Sequence, residues 1–185
     1  MISLSSISEL VTELQKFGAL LPKALIGIDG NLASGKSTLA RRLGGQLDAR
    51  VVEGDLFLVA PNKPYPEALD LICLSNVIKK ACTFSRPIIF ESVMLHRVLD
   101  RLHLEPAAVI YVRRCWPTGV ASCANLCHLP SSEYPLMGDS SDVPKIAPIP
   151  DSTPQLLSDV LRYHRVERQH ERADILYDAV FRLGG

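Results

Sequence analysis

Ala24-Leu25-Ile26-Gly27-Ile28-Asp29-Gly30-Asn31-Leu32-Ala33-Ser34-Gly35-Lys36-Ser37-Thr38-Leu39-Ala40 changes character twice along its length. Ala24 to Ile28 is a short apolar run of the kind that forms a strand buried on both faces. From Gly35 to Leu47 the apolar residues Leu39, Leu43 and Leu47 fall four apart, which places them on one face of a helix. Between strand and helix stand Gly30, four variable residues, Gly35, Lys36 and Ser37.

Each position in that spacing has a chemical reason. Glycines let the backbone curl so that successive amide hydrogens converge on an anion at the positive end of the following helix. Lys36 is long enough to reach outer phosphates as a point charge, and the Ser37 hydroxyl can ligate magnesium. The segment Gly30, Asn31, Leu32, Ala33, Ser34, Gly35, Lys36 and Ser37, with Thr38 following, therefore reads as a phosphate-binding P-loop for a nucleoside triphosphate with Mg2+. A chance Gly-Ser loop would fit the spacing too. It lacks a reason to be entered by a buried strand and left by a helix.

Further along, Val51-Val52, Ile88 to Phe90, Ala107 to Val112 and Ala173 to Tyr177 read as strands. Helical periodicity marks Ile7 to Phe17, where Ser6 and Glu9 suggest a capping box, and also Glu67 to Cys82, Val93 to His103 and Leu156 to His170. Strands alternating with helices predict an α/β fold with a five-stranded parallel sheet sandwiched between helices, ligands gathering at the carboxyl ends of the strands. Asp55 follows the second strand and Glu91 closes the third. Either acid could hold magnesium or its waters there, or be an ordinary solvated strand-end carboxylate.

The 185 residues, 47% of them hydrophobic, suit one domain, 1–185, with an amino-terminal helix over 1–18 and a lid-like insertion over 115–154. That insertion carries seven prolines and little charge. Lys plus Arg equals Asp plus Glu at 20 each, so no overall field favours nucleic acid or an anionic membrane, and neither is expected as a partner. Glu9 and Glu13 interrupt the first apolar stretch, so no leader is expected, and a cytoplasmic location is the default. Five cysteines read as reduced thiols. Cys123, Cys127 and His128, with Cys115 nearby, match no zinc spacing.

Cations that could neutralise a transferred phosphoryl group are Arg113, Arg114, Arg162, Arg165, Arg168 and Arg172. The last four recur three or four apart beside Glu167 and Glu171, as a solvated helix face does. His96, His103, His164 and His170 have no catalytic partner in the sequence.

Ile26-Gly-Ile-Asp-Gly30 entering the loop and Ser37-Thr-Leu-Ala-Arg41 leaving it resemble uridine kinases and related P-loop kinases. Val51-Val-Glu-Gly-Asp55-Leu-Phe57, Pro87-Ile-Ile-Phe-Glu91-Ser and Arg172-Ala-Asp174-Ile-Leu are similar to further segments of that family. The resemblance implies ATP or GTP as donor, Mg2+ held by Ser37 and Glu91, and a hydroxyl-bearing small molecule as acceptor. It makes Asp55 the base and Lys36 the catalytic cation. Two departures stand out. Pro64 replaces the Asp expected to hold ribose hydroxyls, and no arginine follows Arg114 until Arg162, where the family has an arginine-rich lid. The acceptor therefore stays open between a nucleoside and a related metabolite. The alternative is a nucleotide-binding regulatory protein whose kinase activity has decayed.

Overall fold

The computed structural model describes residues 2–32, 34–60, 63–115, 159–160, 162–164 and 167–180. Six strands, β1 (Ile2–Leu4), β2 (Leu25–Gly30), β3 (Arg50–Glu53), β4 (Ile88–Glu91), β5 (Ala108–Cys115) and β6 (Ile175–Val180), form one sheet in the order β1-β6-β5-β2-β4-β3. Every pairing is parallel. The helices are α1 (Ile7–Lys16), α2 (Lys36–Leu47), α3 (Leu71–Ala81), α4 (Leu95–Leu102) and the single turn α5 (Gln169–Arg172).

The expected five strands become six because Ile2–Leu4, placed by sequence within an amino-terminal helical region, pairs with Ile175, Leu176 and Tyr177 of β6. Arg113 holds this edge down: it donates to Asp178 and to Ser3 Oγ, and Ser3 donates to Asp178. The expected capping box is also absent. Ser6 is the N-cap of α1 by its backbone, but its hydroxyl bonds Ser8 and not the helix amides.

Alternation along the strands sorts the core into two layers. Ile26 and Ile28 of β2, Ile89 of β4 and Ile110 of β5 face Leu10 and Leu14 of α1 and Leu39, Ala40 and Leu43 of α2. Leu25, Ile88, Phe90, Val109 and Tyr111 face the other way, onto Leu74 and Ile78 of α3, Val98 and Leu99 of α4, and Tyr163. Leu43, fully buried, contributes about 1.5–3 kcal/mol of transfer free energy, which is what seats the helix that carries Lys36.

Helix α3 starts later than the Glu67 of the sequence reading. Asp70 caps it by accepting from the Cys73 amide at 2.9 Å, and residues 63–70 form a loop pinned by the Leu58 to Leu69 bridge. The helix expected over Leu156 to His170 is not continuous either. Residues 159–160 and 162–164 are helical, the chain breaks at Glu167 and Arg168, where Arg168 has φ 47°, and α5 begins anew. Glu167 pairs with Arg97 of α4, not with an arginine helix face. The insertion at 116–154, with Cys123, Cys127 and His128, lies outside the described residues.

Candidate active site

Strand β2 is where the sheet order changes direction: the chain passes from β2 to β3 on one side, and from β4 across β2 to β5 on the other. In open parallel sheets the crevice at the carboxyl end of such a strand is where ligands bind. Here that end runs into the loop at residues 30–35.

Two glycines are required by the turn. Gly30 has φ 150°, and a Cβ there would lie 2.6 Å from the Val112 carbonyl oxygen; Gly35, at φ 99°, precedes the first residue of α2. Within the loop, Asn31 organises the backbone: its side-chain oxygen accepts from the Leu32 amide at 2.8 Å, and its carbonyl accepts from Ser34 N and from Lys36 Nζ. Helix α2 receives no side-chain cap, so the amides of its first turn are left for an external acceptor. Ala33 lies outside the described residues. Thr38 continues α2.

Lys36 is buried, its Nζ lying over the loop at 3.0 Å from the Asn31 carbonyl. Burial lowers its pKa from the ordinary lysine range, while the charges of Glu91, Asp29 and Asp55 oppose that fall. Three carboxylates, at or just beyond the ends of three adjacent strands, are thus near enough for their charges to act on one ammonium. Glu53 and Glu91 are register partners, as are Ile28 and Glu91, which puts the ends of β2, β3 and β4 side by side.

Ser37 Oγ donates to Glu91 Oε1 at 3.0 Å. The other oxygen of Glu91, Oε2, is buried without a hydrogen-bond partner, and burial raises the pKa of the carboxyl. Ser34 Oγ is likewise buried and unpartnered. Orphaned buried acceptors and donors cost free energy unless a ligand or ion completes them. A magnesium ion carrying phosphate oxygens and water fits this set, since such ions take one or two protein oxygens rather than a full cage. Among the described residues no group of three or more His, Cys, Asp or Glu is arranged to hold a metal unaided.

Asp55 lies exposed on the single turn of 3-10 helix Gly54–Phe57, close enough to raise the pKa of Glu91 by its charge. Its position depends on Gly54, where a Cβ would meet Ser92 Oγ at 2.6 Å, and on Arg41, which grips Glu53 with two bonds of 2.7 and 2.8 Å. The expected site residues are therefore gathered at one end of the sheet. The candidate cations are not: Arg113 is committed to Asp178 and Ser3, Arg162 and Arg172 are exposed, and Arg168 pairs with Glu171. Arg165 and the side chain of Arg114 lie outside the described residues.

The sequence reading missed two groups at this site. Asp29, fully buried, accepts from Gly30 N at 2.7 Å and from Tyr163 OH at 2.6 Å. Tyr65 OH and Ser92 Oγ share a buried hydrogen bond of 2.5 Å, and Ser92 also donates to the Val93 carbonyl. An acid inside an apolar strand was a legible signal for Asp29, because a buried carboxylate persists only with partners. Nothing local marked Tyr163.

The fold and this crevice define an α/β protein with an all-parallel sheet flanked by helices, in which a glycine-bearing loop and a helix N-terminus without a side-chain cap stand at the switch point. No protein-family model matches the chain, and no curated protein matches it. Among solved structures, the chain is similar to a "putative kinase" from Chloroflexus aurantiacus at 22% identity, over 51% of this chain and 61% of that one, with a TM-score of 0.30. At that score the likeness decides neither fold nor chemistry. No helix among the described residues is long and apolar enough to cross a membrane.

Proposed function

We propose that this chain is a P-loop kinase resembling uridine kinases, which moves the γ-phosphate of ATP or GTP onto a hydroxyl of a nucleoside or related small metabolite. The observation that carries the reading is the Ser37 to Glu91 hydrogen bond with an unpartnered Glu91 oxygen beside it, in the first turn of a helix that has no side-chain cap and opens on the buried Lys36.

In this reading the loop amides and Lys36 grip the phosphates, and the Ser34 hydroxyl adds a donor. Ser37 and Glu91 hold Mg2+, which when bound neutralises charge on the phosphate oxygens. Asp55 orients the acceptor hydroxyl and takes its proton as the acceptor oxygen bonds to the γ-phosphorus and the bond to the bridging oxygen breaks. Positioning of this kind accounts for most of phosphoryl-transfer catalysis. Among the described residues, Lys36 is the buried cation at the loop and would offset charge during transfer.

The commitment of Arg113 to Asp178 favours a second reading, a nucleotide-binding regulatory protein with decayed activity, because it removes a cation from the reacting phosphate. Transfer from magnesium ATP to a panel of nucleosides, sugars and small hydroxy acids, with Asp55→Asn as control, separates the two. Phosphorylation of one acceptor that the control abolishes establishes the kinase and names its substrate class; binding of ATP without transfer to any compound establishes the regulator.

A further inference from the structure

Asp29 is a fully buried acid at the root of the loop, and the proposed chemistry gives it no role. Its Oδ1 accepts from Gly30 N at 2.7 Å, its Oδ2 from Tyr163 OH at 2.6 Å, and the Leu95 amide at the start of α4 hydrogen-bonds it as well. Tyr163 is itself fixed. Its hydroxyl accepts from the His96 amide at 3.2 Å, its ring meets His164 edge-on at 4.9 Å between centroids, and the Arg97 guanidinium lies 5.7 Å from its centre. One carboxylate thus ties together the loop, α4 and a helical segment 134 residues further along the chain.

Such an arrangement costs free energy in the fold. Burial raises the pKa of Asp29 to about 6, with the Tyr163 bond, the Gly30 amide, Lys36 and the Leu95 amide opposing it in that order; Tyr65 is the other titratable group that senses it. A core aliphatic would avoid the cost. What the acid provides instead is a fixed direction for the Gly30 amide at a φ of 150° and an anchor for the turn that follows.

We infer that Asp29 and Tyr163 are a positioning pair for the phosphate loop, so that the grip on a nucleoside triphosphate depends on where the chain beyond residue 158 seats the Tyr163 hydroxyl. This rests on the nucleotide-binding reading given above. Neither side chain needs to touch the nucleotide: Asp29 acts through Gly30, and Tyr163 acts through Asp29. Because the effect passes along one shared hydrogen bond, the two residues form a single unit, and losing either should cost nearly as much as losing both.

A double-mutant cycle on the full chain tests this. Magnesium ATP affinity is measured calorimetrically for the wild type, Tyr163→Phe, Asp29→Asn, the double variant and Lys36→Ala, with thermal unfolding of each protein followed without nucleotide. The expected result is a loss of about fivefold or more in affinity for Tyr163→Phe, with the double variant no weaker than Asp29→Asn alone. Asp29→Asn, which keeps the volume but removes the charge that Gly30 N and Tyr163 OH donate to, should unfold at no lower temperature than the wild type above pH 7. Wild-type binding lost in Lys36→Ala but unchanged in Tyr163→Phe overturns the pair and leaves nucleotide binding standing. Additive losses that follow a fall in unfolding temperature overturn it as well, by making both residues purely structural. Absence of wild-type binding overturns the underlying reading and the pair with it.

Discussion

Ser37, at the second position of α2, donates its hydroxyl hydrogen to Glu91, the last residue of β4, across 54 positions of sequence. The bond joins the loop helix to the strand beside it and leaves one buried Glu91 oxygen for another partner. Glu91→Gln keeps the volume but replaces a carboxylate with a neutral amide. It should raise the magnesium concentration needed for half-maximal nucleotide binding by roughly tenfold, the scale of one hydrogen bond to a charged group. A magnesium titration at fixed ATP reads this, and an unchanged midpoint removes Glu91 from the metal site.

Lys36 and Asp55 should fail in different ways. Lys36→Ala removes a buried charge at the loop, so on the proposed function triphosphate affinity should fall roughly tenfold to a hundredfold. Asp55→Asn keeps affinity within about twofold while the transfer rate drops by about a hundredfold or more. Equal loss of affinity in both variants would reassign Asp55 to the metal or to the fold.

The pH dependence of stability carries the mark of Asp29. Its folded pKa of about 6 lies above the ordinary 3.8, so the folded chain holds a proton that the unfolded chain has released across that window. The stability this brings is complete below 3.8 and is lost as pH rises through about 6. The difference amounts to about 3 kcal/mol. Denaturant midpoints of Asp29→Asn and the wild type should therefore diverge between pH 4 and pH 8, with the variant gaining on the wild type as pH rises. A gap that does not change with pH means that Asp29 does not titrate there.

Gly54 sits where β3 hands over to the turn that bears Asp55. Gly54→Ala drives a methyl group to 2.6 Å from Ser92 Oγ and 3.1 Å from the Glu91 carbonyl oxygen, and overpacking of this kind costs about 1–3 kcal/mol. The strain falls on the turn that bears Asp55, so on the proposed function transfer should fall further than the loss of folded protein explains. Chemical denaturation and turnover per folded molecule, measured together, distinguish the two effects.

The strand, loop and helix around Gly30 to Ser37 were legible in the sequence, because apolar runs, glycine spacing and a four-residue repeat are local properties of the chain. The same holds for Glu91 and Asp55, which a parallel α/β sheet must put at one end once their strands are recognised. Only tertiary structure decided the rest. Ile2–Leu4 is too short to show a period, and it becomes a strand because the edge of β6 offers it a ladder and Arg113 a clasp. Among the described arginines read as candidate catalytic cations, Arg113 and Arg168 pair with carboxylates and Arg162 and Arg172 face solvent, since an ion pair depends on which surfaces meet and not on spacing along the chain. Tyr163 reaches Asp29 over 134 residues, a distance at which no periodicity carries information. A hydrogen bond between them exists only because two helical segments pack on one face of the sheet and bring both groups to the root of the same loop.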